Sequence, residues 1–401
     1  MFELLAPGGN MSKVKTAFHF GADAVYVGGK ALSLRAFADN FSDDELKEIV
    51  SYAHDLKKKV YVTVNIFPKN DDFPLIEKTL KCLDFLKVDG IIISDPGIIY
   101  LFNELKISVP LHLSTQANTL NKYSALFWAK QGVKRIILAR ELSIKEIKEI
   151  RAFLPQEVEL EMFVHGAMCI SYSGRCLLSN YLSDRSSNNG ECVQACRWEY
   201  SITEKSRKGE YLDIEEDDRG TYILNSRDLK LINHVKEIKD AGVCSLKIEG
   251  RMKSEYYVAT VVNAYRHAID AAEKGEDLDK AFEEDLDKAG HRNYTTCFFD
   301  GKNDKTQNLA TSLPDATHTF IAEVLSWKDG KATVVMRNRF KAGDVLEILS
   351  PSDSFDKTFT VDEIINSKGE KIDDAKLVQE TLTINCPYEV FERDILRRKK
   401  V

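Results

Sequence analysis

The chain of 401 residues carries a net charge of −7 and contains 43% hydrophobic and 30% charged residues. These values are ordinary for a globular protein with one large and one smaller domain, because a single core rarely grows beyond roughly 250–300 residues. The acidic balance excludes a surface built throughout to attract nucleic acid, and only a local basic patch could do so. We find no pattern of a signal peptide or a membrane span, so the sequence predicts a cytoplasmic protein.

Short β-branched runs alternate with amphipathic segments over the first three hundred residues. Strands that are apolar on both faces and separated by helices are typical of a parallel sheet buried on both sides. Eight such units predict an α/β fold, a closed (β/α)8 TIM-type barrel over residues 1–300. The predicted strands are Glu3–Ala6, Ala24–Val27, Val60–Ile66, Gly90–Ile93, Leu111–Leu113, Arg135–Leu138, Glu159–Phe163 and Cys244–Ile248. The predicted helices include Ser42–Leu56, Ser124–Gln131, Ser143–Phe153 and Ser254–Glu273.

Polar, charged and glycine residues follow the predicted strands. Because barrel enzymes build their sites from the loops at the carboxyl ends of the strands, this ring predicts an active site at one rim. Some residues of this kind serve only as caps and turns in any barrel. The ring includes Gln116, Asn118, Arg140, Glu141, His165, Glu249 and Arg251.

A cysteine-rich insertion, residues 169–225, follows the seventh predicted strand. Four of the eight cysteines lie within 28 residues there, spaced C-x6-C-x15-C-x3-C. Structural zinc sites favour pairs with two to four intervening residues, so this spacing favours an iron-sulfur cluster. Zinc and unliganded or redox-active cysteines stay as alternatives. The four scattered cysteines are predicted to be small buried hydrophobic residues: Cys82, Cys244, Cys297 and Cys386.

Two groups of charged residues near the strand ends have open interpretations. His165, with Glu161 on the same strand face, is either a structural histidine or a proton-transfer or substrate-contact residue. The second group either forms salt bridges that close the barrel mouth or binds an anion through its arginines. Its members are Arg140, Glu141, Lys247, Glu249 and Arg251.

After residue 300 the helical periodicity stops. Short alternating runs separated by turn residues predict a small antiparallel β-barrel domain over residues 310–401. The last basic residues, Arg397–Lys400, are interpreted as a basic tail that is either solvated or touches RNA. The predicted strands are Phe320–Val324, Lys331–Met336, Asp344–Leu349, Lys357–Val361 and Glu380–Ile384.

Several motifs that would indicate other functions are missing from the sequence. It contains no H-E-x-x-H, no G-x-S-x-G and no P-loop. Proteolysis by a standard serine or zinc apparatus therefore has no support in the sequence.

Six segments resemble the collagenase-like peptidases of unknown catalytic type, family thirty-two of that class. The longest is E-M-F-V-H-G-A-M-C-I-S-Y-S-G-R-C-L-L-S, which begins at Glu161. The others are E-L-L-A-P-G-G-N, A-D-A-V-Y-V-G-G, H-L-S-T-Q-A-N, K-I-E-G-R-M-K-S-E-Y-Y-V-A and H-R-N-Y-T-T. Within the family the chain is most similar to the branch that installs 5-hydroxyuridine at the tRNA wobble position.

That resemblance implies a (β/α)8 barrel, a [4Fe-4S] cluster, and a hydroxylation of tRNA that depends on prephenate instead of molecular oxygen. Carried over by position, the cluster ligands are Cys169, Cys176, Cys192 and Cys196. Two departures stand out: some relatives have a cysteine where this chain has Lys230, and Cys297 replaces a usual glycine.

The site predictions combine the rim with the resemblance. Prephenate is a dicarboxylate that arginine forks suit, and a wobble base must be splayed out and stacked on an aromatic ring. The candidate rings are Tyr172, Trp198, Tyr256 and Tyr257, which could equally pack the insertion against the barrel. The predicted catalytic residues are His165, Glu161 and Arg175. The predicted substrate-binding residues are Arg35, Gln116, Asn118, Arg140, Glu141, Lys247, Glu249, Arg251 and Tyr256.

The predicted partners are tRNA and prephenate, with no membrane, and a second copy of the chain or a paralogous subunit is a further candidate partner. Alternative functions are a collagenase-like peptidase, hydroxylation of ribosomal RNA, and a non-catalytic protein that uses its cluster structurally.

Overall fold

The computed structural model describes residues 2–29, 40–168, 182–183, 193, 195, 216–217, 220–221, 227–301 and 315–400. The chain forms two compact units. The first, the barrel unit, contains residues 1–14, 22–252 and 292–314; the second, the C-terminal unit, contains residues 15–21, 253–291 and 315–401. Both units are discontinuous in sequence, whereas the sequence predicts two consecutive domains.

Eight parallel strands close the barrel unit. Each strand pairs with the next along the chain, and the eighth pairs with both the first and the seventh. The predicted (β/α)8 barrel is therefore confirmed, with each predicted strand within a few residues of its position. The strands are β1 (Glu3–Pro7), β2 (Ala24–Gly28), β3 (Lys59–Val64), β4 (Gly90–Ile93), β5 (Leu111–Leu113), β6 (Arg135–Ile137), β7 (Glu159–Ala167) and β8 (Ser245–Ile248).

The helices begin where local sequence satisfies their free amide groups. Ser42 and Ser143 each accept a hydrogen bond from the backbone of a glutamate three residues later, and that glutamate reaches back to complete a capping box. Within the continuous described ranges the helices are α1 (Met11–His19), α2 (Asp43–Asp55), α3 (Phe73–Leu86), α4 (Pro96–Glu104), α5 (Lys122–Lys130), α6 (Ile144–Phe153), α7 (Val235–Asp240), α8 (Glu255–Lys274) and α9 (Lys280–Asp285). In the described parts of the chain, no helix is long and apolar enough to cross a membrane.

The chain leaves β7 and returns beside it. The strand Asp228–Lys230 runs antiparallel to the end of β7, with Ala167 opposite Asp228 and His165 opposite Lys230. Arg292 holds the buried Asp228 through a contact of 3.2 Å between Nη1 and Oδ1. The two ends of the insertion are therefore fixed next to each other on the barrel.

The C-terminal unit contains an antiparallel sheet that forms a half-barrel, which confirms the predicted class of this domain. One face covers an apolar core that includes Val334, Leu346 and Leu382. Along the sheet the strand order is Thr358–Thr360, Val345–Leu349, Ile395–Lys399, His318–Lys328, Lys331–Met336, Thr381–Asn385, Ile364–Ile365 and Lys371–Ile372. A separate pair is formed by Phe340–Lys341 and Asp374–Ala375.

The interpretation of Arg397–Lys400 as a basic tail is wrong. Ile395–Lys399 is an interior strand that pairs on both sides. Arg397 is fully buried, and its Nε donates to Glu347 Oε1 at 2.8 Å while Nη2 contacts Asp285. The charge is buried because two carboxylates compensate it.

The scattered cysteines agree only partly with their prediction. Cys297 and Cys386 are buried, whereas Cys82 and Cys244 are half-buried. Cys297 has a φ of 57°, a left-handed conformation that favours glycine. The turn is thus retained here with a cysteine at the glycine-favouring position.

Candidate active site

The interior of the barrel holds a charged quartet, which we define as Glu3, Arg135, Glu161 and Lys247. Arg135 Nη1 lies 2.5 Å from Glu3 Oε1 and 3.2 Å from Glu161 Oε2. Lys247 Nζ lies 2.8 Å from Glu161 Oε1. Two anionic and two cationic side chains therefore neutralise one another in a space that branched apolar side chains usually fill.

Hydrogen bonds complete the quartet on the side of Glu3. Tyr61 donates its hydroxyl to Glu3 Oε2 at 2.6 Å, and Ser245 donates to Oε1 at 2.8 Å. Burial opposes ionisation of Glu3, but the charge of Arg135 and these hydrogen bonds outweigh it and lower the pKa of Glu3. Burial and the neighbouring carboxylate raise the pKa of Tyr61, so its hydroxyl stays a proton donor.

An aromatic layer separates the quartet from a cation at the rim. Lys247 Nζ lies 4.4 Å from the ring centroid of Tyr26 and 5.4 Å from that of Phe163. The guanidinium of Arg140 also lies over Phe163, 4.0 Å from the ring centroid. The two cations thus share one aromatic ring, which favours both positions.

Arg140 is fixed at the rim by two further contacts. Its Nη1 donates to the carbonyl of Ala167 at 2.6 Å, and its Nη2 lies 3.3 Å from Glu249 Oε2. This pair supports the salt-bridge interpretation for these two residues. Arg140 Nε is buried without a hydrogen-bond partner, so one donor of the guanidinium is left for a ligand or water.

The loops after β5 and β6 bring further polar groups to this rim. The backbone amide of Ala139 donates to the carbonyl of Thr119, and Thr115 Oγ1 donates to the carbonyl of Leu138. The two loops are therefore adjacent. Gln116 Oε1 and Glu141 Oε2 are buried without a partner. Burial raises the pKa of the Glu141 carboxyl. Unpaired buried polar atoms are costly and are typical of functional sites.

The remaining predicted rim residues have structural contacts. Asn118 adopts a φ of 50° and donates from Nδ2 to the Gln116 carbonyl. Arg251 is buried and donates from Nη2 to Asn40 Oδ1 at 2.6 Å.

The two described residues that were predicted to be catalytic lie inside the barrel wall. Glu161 is fully buried in the quartet, paired with Lys247 and Arg135. His165 is 1% exposed, and its ring lies 5.5 Å from that of Tyr294. Their catalytic roles stay predictions.

Tyr256 belongs to the C-terminal unit, at the start of α8. It is 6% exposed, stacks on Phe320 with 5.7 Å between ring centroids, and donates its hydroxyl to the Lys288 carbonyl at 2.9 Å. The ring is already covered, so no face of it is available to a base. Arg35, Arg175 and the four clustered cysteines lie outside the described residues.

Sequence reasoning did not find Glu3, Tyr61, Arg135 or Phe163 as part of this arrangement. A signal exists for the charged pair, because each stands within a short strand that is otherwise apolar on both faces. A charge in such a strand requires a buried partner. The partners lie more than a hundred residues apart, so the sequence alone did not identify the pair.

A small crevice adjoins Arg140. Its walls are largely apolar and include Met162, Phe163, Leu229 and Phe299. It therefore places one guanidinium beside apolar side chains at the rim.

Comparison with known proteins places the chain in a family. The model of "Peptidase family U32" matches residues 9–309, and the model of its C-terminal domain matches residues 316–397. The chain belongs to peptidase family U32.

Three relatives of the chain have names that describe RNA modification. The "tRNA hydroxylation protein P1" of Bacillus subtilis is 38% identical over 99% of this chain and 95% of its own length. The "tRNA hydroxylation protein P" of Escherichia coli is 40% identical over 92% of this chain and 90% of its own length. A 23S rRNA 5-hydroxycytidine synthase of Escherichia coli is 32% identical over 86% of this chain and 52% of its own length.

Proposed function

We propose that this family U32 protein hydroxylates a uridine of tRNA, at C5 of the wobble base, with prephenate as co-substrate. The observation that carries this proposal is the similarity to two proteins named for tRNA hydroxylation, which extends over at least nine tenths of the chain. A relative that acts on ribosomal RNA matches only about half of its own length, so tRNA is the favoured substrate.

The guanidinium of Arg140 supports a small anionic co-substrate. A carboxylate at the rim would pair with this cation, whose Nε has no hydrogen-bond partner among the described residues. Gln116 and Glu141, on the adjacent loops, offer an amide and a carboxyl whose raised pKa favours a proton donor. Because Glu249 and Ala167 hold the guanidinium, its orientation is set before the ligand arrives.

We also propose a [4Fe-4S] cluster on Cys169, Cys176, Cys192 and Cys196. The donor set fits, because four thiolates are the common ligands of such clusters. Ala167, two residues before the first of these cysteines, is fixed at the rim by Arg140 and by its pairing with Asp228. When bound, the cluster would supply electron transfer.

Nucleoside mass spectrometry tests the function. A bacterial strain without tRNA hydroxylation activity is complemented with the chain, and total tRNA and ribosomal RNA are digested and compared. We expect 5-hydroxyuridine or its derivatives to return to tRNA with the wild type and with Cys82→Ser, and not with Cys196→Ser. Unchanged tRNA nucleosides with the wild type would contradict the proposal. Digestion of denatured collagen by the purified chain, retained in Cys196→Ser, would favour a peptidase.

A further inference from the structure

Helix α5 presents aromatic side chains to solvent. It contains Tyr123, Phe127 and Trp128, yet its one buried residue is Ala125. Tyr123 is 67% exposed and Phe127 is 54% exposed. Barrel helices normally bury their large apolar side chains against the sheet, so rings exposed together on one helix are a candidate binding surface when charge also favours a ligand.

The neighbouring helix α6 extends this surface. Its last residue, Phe153, is 40% exposed, and its ring lies 5.3 Å from that of Tyr123 at an interplanar angle of 71°. Lys122 Nζ lies 5.6 Å from the Tyr123 centroid and 5.4 Å from the Phe153 centroid. We define the α5–α6 face as Lys122, Tyr123, Phe127, Lys130, Lys145, Lys148 and Phe153.

The α5–α6 face is positive in a chain that is negative as a whole. The two helices carry five lysine or arginine residues and two glutamates, whereas the chain has a net charge of −7. Arg151 donates to the carbonyls of Leu154, Pro155 and Val158, so the lysines supply the outward charge. Lys130, Lys145 and Lys148 are exposed, and of these Lys148 has its Nζ 4.0 Å from Glu237 Oε1. Lysines interleaved with exposed rings match a partner that is anionic and has flat faces.

We propose that the α5–α6 face binds a single-stranded segment of the RNA substrate, outside the catalytic rim. Bases would stack on Tyr123, Phe127 and Phe153, and phosphates would lie near the lysines. This inference rests on the proposed RNA substrate. A protein partner is less well matched, because the cores of protein interfaces are depleted in lysine.

Binding measurements on the full-length chain test this surface. The probes are an unmodified tRNA transcript and a fluorescent oligouridylate, followed by anisotropy at fixed salt. We expect Tyr123→Ala/Phe153→Ala to weaken binding of both probes about tenfold or more. The matched control, Phe85→Ala/Tyr100→Ala, removes rings that are 82% and 68% exposed on α3 and α4, and should leave both affinities unchanged.

The salt dependence gives a second readout. Lys122→Gln/Lys145→Gln should reduce the slope of log Kd against log salt concentration, because fewer counterions are released. An unchanged affinity in Tyr123→Ala/Phe153→Ala would overturn the proposal. A shift from oligomer to monomer in sedimentation, with RNA affinity intact, would also overturn it and would assign the face to a protein contact.

The RNA-binding test of the α5–α6 face can fail independently of the tRNA hydroxylation test. Restored tRNA hydroxylation together with equal RNA binding by all variants would refute the α5–α6 face alone. Ring-dependent RNA binding without any change in tRNA nucleosides would refute the hydroxylase proposal alone.

Discussion

Lys247 is the cation of the charged quartet that pairs with Glu161 alone. Its ammonium lies between Glu161 and the rings of Tyr26 and Phe163, with 4% of the side chain exposed. Buried ion pairs of this kind add little net stability compared with an apolar core, yet removing one partner leaves a buried charge uncompensated. The quartet therefore constrains which side chains the barrel interior tolerates.

Lys247→Met should lower the free energy of unfolding by about 3 kcal/mol, because Glu161 keeps only its longer contact with Arg135. Urea denaturation followed by circular dichroism measures the loss. Lys59→Met is the matched control: Lys59 contacts Glu3 of the same quartet at 3.4 Å, but its side chain is 54% exposed. Its loss should stay below about 1 kcal/mol. Equal losses of unfolding free energy in the two variants would show that burial in the quartet does not cause the loss in Lys247→Met.

Glu141 and Glu146 should respond to pH with opposite signs. Burial raises the folded pKa of Glu141, so its ionisation destabilises the protein as the pH rises through that pKa. Glu141→Gln should therefore be more stable than the wild type at pH 7, and the difference should vanish below the ordinary pKa of about 4.5. Thermal unfolding of the wild type and of Glu141→Gln from about pH 4 to about pH 8 measures this difference.

Glu146 provides the matched comparison. Hydrogen bonds from the backbone and side chain of Ser143 lower its pKa, so its stabilisation is present above the unfolded pKa and is lost as the pH falls. Glu146→Gln should be less stable than the wild type at pH 7. Curves for the two variants that shift in the same direction would contradict the assignment. If Glu141 contacts substrate, the more stable Glu141→Gln will also be less active.

The final strand of the C-terminal unit places adjacent arginines in opposite environments. Arg397 is fully buried against Asp285 and Glu347, whereas the Arg398 side chain is 34% exposed and pairs with Asp344. Alternate side chains of a strand point to opposite faces, so the neighbours cannot share an environment.

Arg397→Met should lower the free energy of unfolding by about 3–5 kcal/mol, because two carboxylates lose their buried counterion. For Arg398→Met, a half-exposed pair, we expect a loss below about 1 kcal/mol. Differential scanning calorimetry of the full-length variants compares them. If this segment were a basic tail in solution, neither substitution would change the free energy of unfolding.

Most elements could be predicted from local sequence, and the exceptions have one cause. The β-branched runs and serine caps determine the eight barrel strands and helices such as α2 and α6 locally. The strand Ile395–Lys399 was missed because two consecutive arginines hide its alternation, and only Asp285 and Glu347 explain the buried one. The quartet was missed for the same reason, since Arg135 meets Glu3 across 132 residues.

Which residues lie at the rim could be predicted from the sequence, but their contacts could not. Arg140 and Glu249 lie together there, because parallel strands end at the same edge. Phe163 and the Ala167 carbonyl were missed, since their contacts with Arg140 depend on side-chain packing across the barrel.

At the scale of the whole molecule, the barrel strands all lie outside the insertion, whose ends meet at Ala167 and Asp228. A short turn can join antiparallel strands, so replacing residues 169–226 with a four-residue Gly/Ser linker should leave a folded barrel. We expect a cooperative thermal transition and unchanged helical circular dichroism per helical residue, with no tRNA hydroxylation. An insoluble or non-cooperative product would show that the barrel needs the insertion to fold.

The pairing at Ala167 and Asp228 also has a kinetic consequence. To close the barrel, β8 must find β7 across about 77 intervening residues, but once Asp228–Lys230 has paired with β7 only about 14 separate it from β8. The entropic cost of closing the loop, expressed as a free energy, falls accordingly by about 1.5 kcal/mol at room temperature. The antiparallel hairpin thus makes a long-range encounter a local one, so the cysteine segment can lengthen without slowing the step that seals the barrel.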